Sequence, residues 1–199
     1  MRVSTVETWL GPFTAIVAED GAVLASGWTA DAQTLAALIH PSLRDGEPVR
    51  YKDLGPVTVA ILAYHEGDLH APDVVPVRQH VGGSFLPAAW RELRDVHPGT
   101  PITYTELARR TGNATASRAA ASACARNAAA LFVPCHRIVR TDGTVGGFRW
   151  GPEIKRRLLA HEAGPVSGRT PSWAPDDGRE SLLAPIGPET RRRSVVPTS

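Results

Sequence analysis

The stretch "ALFVPCHRIV" (130–139) places Cys135, His136 and Arg137 in a row between two apolar runs. A cysteine in such surroundings has two uses. It can serve as a small buried hydrophobe, the commoner fate of a free thiol. As a thiolate it is a nucleophile, and a nearby base is what activates it. Pro134 separates the two readings. Proline has no N–H to give a sheet ladder and fixes φ, so a strand over 131–133 has to stop there. Cys135 is then expected on a bend, where a side chain can be aimed into a pocket.

Other reactive groups are few. The second cysteine, Cys124, gives no CxxC spacing with Cys135, and a disulfide framework is not expected. The seven histidines are scattered without an HExxH pattern, so neither a metal nor another cofactor is expected. Glu162 closes a predicted helix, "PEIKRRLLAHE", whose inward residues are Ile154, Leu158 and Leu159. A negative charge at a helix C-terminus opposes the macrodipole. It is either a solvated surface residue or a partner for His136. The loop "GTVGGFRWGP" (143–152) lacks the Walker and dinucleotide patterns. Its glycines suit close approach to a flat ligand better than a phosphate cradle.

These groups need elements to position them. "FTAIVAE" (13–19) and "AVLASGW" (22–28) read as a hairpin about Asp20-Gly21, a pair that favours a type I′ turn. Helical spacing appears over 31–40 and over 55–67, where Pro56 suits a first turn. "DVVPVRQ" (73–79) reads as an edge strand, because of Pro76. A helix over 84–95 presents Phe85, Ala89, Trp90 and Leu93 on one face. In "TYTELARRTG", Thr103 and Glu106 have capping-box spacing and Gly112 a C-cap place. The alanine-rich helix "ASRAAASACARN" (116–127) follows, so the pair reads as a helix-turn-helix or as an ordinary helical hairpin. The second helix has little to bury. Small side chains let its backbone approach a grooved partner, and Arg118 and Arg126 can meet phosphates.

The fold class expected is α+β: a small mixed α/β domain over 1–80, then a mostly helical domain over 81–164. Residues 165–199 carry six prolines, the run Arg191-Arg192-Arg193 and no periodicity, and are read as a disordered tail. Net charge is only +2, so any nucleic-acid contact has to come from local clustering of basic residues. No apolar run is long enough for a membrane span, and the N-terminus has no apolar signal core. A cytoplasmic monomer is expected.

Taken together, "VPCHRIV", the upstream "TYTELA" and "SRAAASACARN", and the downstream "DGTVGGFRWG" and "LLAHE" resemble the methylated-DNA–protein-cysteine methyltransferases, also called O6-alkylguanine-DNA alkyltransferases. The bacterial type is the most similar. Order and spacing agree over 84–164, and residues 1–80 fit the family's variable N-terminal domain loosely. The resemblance implies DNA repair by direct reversal, on double-stranded DNA carrying O6-alkylguanine. Cys135 would accept the alkyl group once. His136 would activate it through a water, Glu162 would orient His136, and Asn127 would brace the turn that carries the cysteine. Tyr104 would help to rotate the target nucleotide out, and Arg118 would fill the gap it leaves. Ser117 and Ala119 would lie with Arg118 along the helix that faces DNA. Val145, Gly146, Phe148 and Arg149 would belong to one wall of the guanine pocket. The chain departs from the family at Ala128, where proline is frequent, at Gly83, where threonine is expected, and at Phe148, where tyrosine is common.

Two other readings stand beside this one. A lesion-sensing DNA-binding protein would use the same elements with a silent cysteine. A cysteine hydrolase would need Cys135 and His136 to meet in space, although sequence neighbours usually point apart.

Overall fold

Apolar pairs, Val3 opposite Ile16 and Val6 opposite Phe13, bring the first two strands together. In the computed structural model, which describes residues 1–80 and 83–164, β1 (Arg2–Thr8) pairs antiparallel with β2 (Gly11–Val17). β3 (Val23–Gly27) pairs antiparallel with β2, and the two-residue β4 (Val49–Arg50) lies parallel to β1, giving the order β3-β2-β1-β4. The tail expected at 165–199 lies outside the described residues. The strand β1 has no counterpart in the sequence reading. Its residues Ser4, Thr5, Glu7 and Thr8 mask the apolar beat of Val3 and Val6.

The hairpin between β2 and β3 is not the type I′ turn. Gly21 alone takes positive φ, at 85°. The Gly21 N–H reaches Ala18 O at 3.0 Å, the Ala18 N–H reaches Ala22 O at 2.9 Å, and Asp20 Oδ1 accepts from the Ala22 N–H. That is a three-residue loop closed by a left-handed glycine.

Two expected strands are also absent. Over 73–79, a 3-10 turn at Ala71–Val74 comes first, and only Val77 bridges the free edge of β3. Pro76 has no N–H, so it contributes only its carbonyl, which accepts from Val23 N–H at 2.8 Å. The 131–133 segment is buried, but it is a turn. Leu131 is left-handed at φ 75°, and the Val133 N–H folds back onto Ala129 O at 2.8 Å. Just before it, Ala129 bridges Ser26 of β3.

The helices are α1 (Ala32–Ala36), α2 (Pro56–Glu66), α3 (Phe85–Arg94), α4 (Tyr104–Arg110), α5 (Ser117–Arg126) and α6 (Pro152–Ala163). Two short strands, β5 (Ile102–Thr103) and β6 (Ile138–Val139), pair in parallel and bind the segment after Cys135 to the start of α4. Helix α1 is shorter than expected. Asp31 caps its start, and turns replace its last residues. Thr103 Oγ1 accepts from the Glu106 N–H at 3.1 Å, but the Glu106 carboxylate turns to Arg109 and Arg110. Half of the capping box therefore forms, and Arg109 first and then Arg110 hold Glu106 down to about 2.

One apolar core crosses the expected boundary at residue 80. Phe13, Val57 and Tyr64 share a cluster with Trp90, Leu93, Leu107, Leu131 and Leu158. Full burial of each such side chain is worth about 1.5–3 kcal/mol. The architecture is mixed α+β, and no helix among the described residues is long and apolar enough to cross a membrane.

Candidate active site

A cleft of about 900 Å3 opens between α4, α5 and the loop before α6. Cys135 reaches it from a 3-10 turn, Cys135–Arg137, that starts directly after Pro134. Cys135 as a residue is only 7% exposed. Asn127, at the C-cap of α5, donates from Nδ2 to Val133 O at 2.7 Å and to Cys135 Sγ at 3.2 Å. Burial pushes the thiol up from its usual range. The Asn127 hydrogen bond and then the Lys155 ammonium oppose that shift. Lys155, on α6, is fully buried and donates to Ile138 O. Burial brings its own value down to about 8.

The next two residues, His136 and Arg137, enter a buried ion network. His136 is fully buried and places Nε2 2.8 Å from Glu162 Oε1. The same carboxylate accepts from Tyr64 Oη at 2.8 Å and from Arg137 through both Nε and Nη2. Arg137 Nη1 donates to Val96 O at 2.6 Å. Burial pushes the Glu162 carboxyl up, but His136 and Arg137 outweigh it and hold it well below the carboxylate range. An ionised Glu162 requires the proton of His136 on Nε2. Burial, countered only partly by Glu162, lowers His136, so the ring is a neutral base. Its lone pair is on Nδ1, which has no hydrogen-bond partner among the described residues.

The cleft wall draws on several of the residues singled out by sequence. Tyr104 lines it from α4, Ser117 and Arg118 from α5, and Phe148 and Arg149 from the loop. Burial, then the nearby Cys124 and Cys135, raise the Tyr104 phenol to about 12, so it stays a hydrogen-bond donor. Arg149 Nη2 donates to Ala125 O at 2.5 Å, tying the loop to α5. Three residues sit elsewhere. Ala119 is half-buried on α5 outside the lining. Val145 packs with Val139 and Leu159. Gly146, at φ 67°, passes so close to Tyr104 that an added Cβ would lie 3.3 Å from its hydroxyl.

Sequence reasoning missed Tyr64, Gln79 and Lys155. Lys155, Leu158, Leu159 and Glu162 fall at helical spacing on one face of α6, and that spacing was a usable signal for Lys155. Nothing local marks Tyr64 or Gln79, whose partners lie far away in the chain.

Comparisons with known proteins give the family. Residues 84–164 match the family model "6-O-methylguanine DNA methyltransferase, DNA binding domain". A methylated-DNA–protein-cysteine methyltransferase of Shigella flexneri is 30% identical over 160 residues, covering 79% of this chain and 92% of that protein. The chain belongs to the methylated-DNA–protein-cysteine methyltransferase family. This methyltransferase-family chain is also 46% identical over 82 residues to the bifunctional transcriptional activator/DNA repair enzyme Ada of Escherichia coli. That match covers 41% of the chain and 23% of Ada, and a methyltransferase of Saccharomyces cerevisiae is matched over 47% of its length. Among solved structures, Mycobacterium tuberculosis OGT in complex with DNA superposes with a TM-score of 0.64 at 23% identity, covering 82% of this chain and 93% of that one. The O6-methylguanine-DNA methyltransferase of Pyrococcus kodakaraensis gives 0.65 at 24%, covering 80% and 98%. These likenesses show a shared fold.

Proposed function

We propose that this methyltransferase-family chain repairs double-stranded DNA by direct reversal, moving the alkyl group of O6-alkylguanine to its own Cys135. The observation that carries this reading is the setting of Sγ: on the cleft, 3.2 Å from the Asn127 amide, on the same 3-10 turn as His136, whose Nε2 is paired with Glu162. His136 Nδ1 takes the thiol proton through a water. The thiolate attacks the alkyl carbon, a C–S bond forms, and the C–O6 bond breaks. Its electron pair stays with guanine, which is then protonated. The thioether has no route back to a thiol, so each molecule acts once.

The reacting base must leave the duplex, at a few kcal/mol. Helices α4 and α5 act as a helix-turn-helix, with the small residues of α5 facing the groove. Tyr104 turns the nucleotide and Arg118 fills its place. Residues 81–164 carry this chemistry, and 1–80 form an α/β unit packed behind it. The protein works as a cytoplasmic monomer.

Intact mass after incubation with duplex DNA containing O6-methylguanine tests the proposal. One CH2 should be gained, mapped to Cys135, and Cys135→Ser should gain none, because a hydroxyl is far harder to ionise. Gain at Cys124 instead would overturn the assignment. Burial of the thiol also favours a second reading, lesion binding without transfer. Tight binding of the modified duplex with no mass gain would establish that one.

A further inference from the structure

Asn127 uses both ends of its amide. Beyond the two bonds from Nδ2, its Oδ1 accepts from the Ala129 N–H at 3.1 Å and from Gln79 Nε2 at 2.9 Å. Gln79 arrives from the segment after Pro76, which the Arg78 N–H anchors to Val23 O of β3 at 2.9 Å. Its own oxygen is engaged as well: Oε1 accepts the Ala128 N–H at 3.2 Å. A backbone N–H only donates, so Gln79 has to turn oxygen towards Ala128 and nitrogen towards Asn127. That nitrogen also only donates. Asn127 therefore presents oxygen to Gln79 and nitrogen to sulfur. The bonds run one way, from the Ala128 N–H through two amides to Sγ, and such chains polarise one another.

We propose that Gln79 is a positioning residue for Cys135: it holds the Asn127 amide with nitrogen towards sulfur and so favours the thiolate over the thiol. The proposal rests on the reading of Cys135 as the alkyl acceptor, and it assigns part of the activation to the N-terminal half of the chain. Ala128 is the anchor, because it supplies an N–H that proline could not. A hydrogen bond to the charged form of a group stabilises that form. Without the lock, Asn127 is held only by Ala129 and Val133, and its donation to sulfur weakens.

Two substitutions cut the link from opposite ends. Gln79→Met keeps the length and removes both polar atoms. Ala128→Pro removes only the N–H. Asn127 is at φ −63°, ψ 116°, an extended conformation compatible with a following proline. The readout is alkylation of Cys135 by iodoacetamide against pH in the full chain, followed by peptide mass. Each variant should raise the midpoint, with alkylation slower by about threefold to tenfold at neutral pH, where a tenfold change corresponds to one unit. The double variant should shift no further than either single one, because both break the same link. An unchanged midpoint in Gln79→Met overturns the proposal. So does full additivity, or a slower rate at an unmoved midpoint, which is what loosened packing alone would give. Melting temperature identifies a variant that has lost its fold, and the other single variant then decides. Since no methylated DNA enters the assay, failure of this link and failure of alkyl transfer are read separately.

Discussion

Replacing Glu162 by glutamine isolates the ion network from the rest of the site. The substitution leaves the buried Arg137 without its counter-ion, and an uncompensated buried charge costs about 3–5 kcal/mol. The pH dependence has a definite sign. The folded carboxyl lies below its unfolded value of about 4.3, so its contribution is complete above that value and is lost as pH falls through the folded one. The gap in melting temperature between the natural chain and Glu162→Gln should therefore be constant above about pH 5 and narrow on further acidification. A gap that widens in acid would show that the carboxyl is not held low. Cys135, His136 and Glu162 were legible because a bend after proline and a mis-signed helix end are local oddities. Tyr64 and Gln79 were not. A tyrosine inside an apolar helix and a glutamine after a proline look ordinary until the fold brings them to residues 98 and 48 positions away.

At the scale of elements, the N-cap of α4 is a clean test of local design. Thr103→Ala removes the bond to the Glu106 N–H, worth about 1 kcal/mol, or roughly 2–4 °C in Tm for a chain of this size. Alkyl transfer should fall little in a thermally intact sample. Helix α5 is the element with the sharper functional consequence. Arg118→Ala should slow transfer from duplex DNA at saturating DNA and leave transfer from free O6-benzylguanine unchanged, because a free base needs no flipping. A loss on duplex that vanishes at saturation would reduce Arg118 to a phosphate contact. The helices α2 to α6 were readable from periodicity and caps. The strands expected over 73–79 and 131–133 do not form: both segments are apolar by composition, but Pro76 and the left-handed Leu131 break their ladders.

Across the whole molecule, β3 meets the cleft wall at Ser26, through Ala130, and at Gly27, through Trp150. A Cβ on Gly27 of β3 would lie 2.0 Å from Trp150 Cζ2, so Gly27→Ala has to move an indole that lines the cleft. Overpacking of this kind costs about 1–3 kcal/mol. Both Tm and single-turnover transfer should drop, and a normal transfer rate with a lowered Tm would show that the indole can shift without disturbing the pocket. No sequence pattern marks Gly27, since its neighbour Trp150 is distant in the chain.

The carboxylate shared by Tyr64, His136 and Arg137 also fixes an order of events during biosynthesis. Glu162 is translated 26 residues after His136, a lag of a second or more at ~5–20 residues per second. Its bond to Tyr64 closes a loop of 98 residues, whose chain-entropy cost has to be met before the contact stabilises the fold. Until then, His136 lacks the carboxylate that holds its proton on Nε2. In the proposed reaction, the thiol that reacts once thus lacks its complete base until Glu162 has been made and docked.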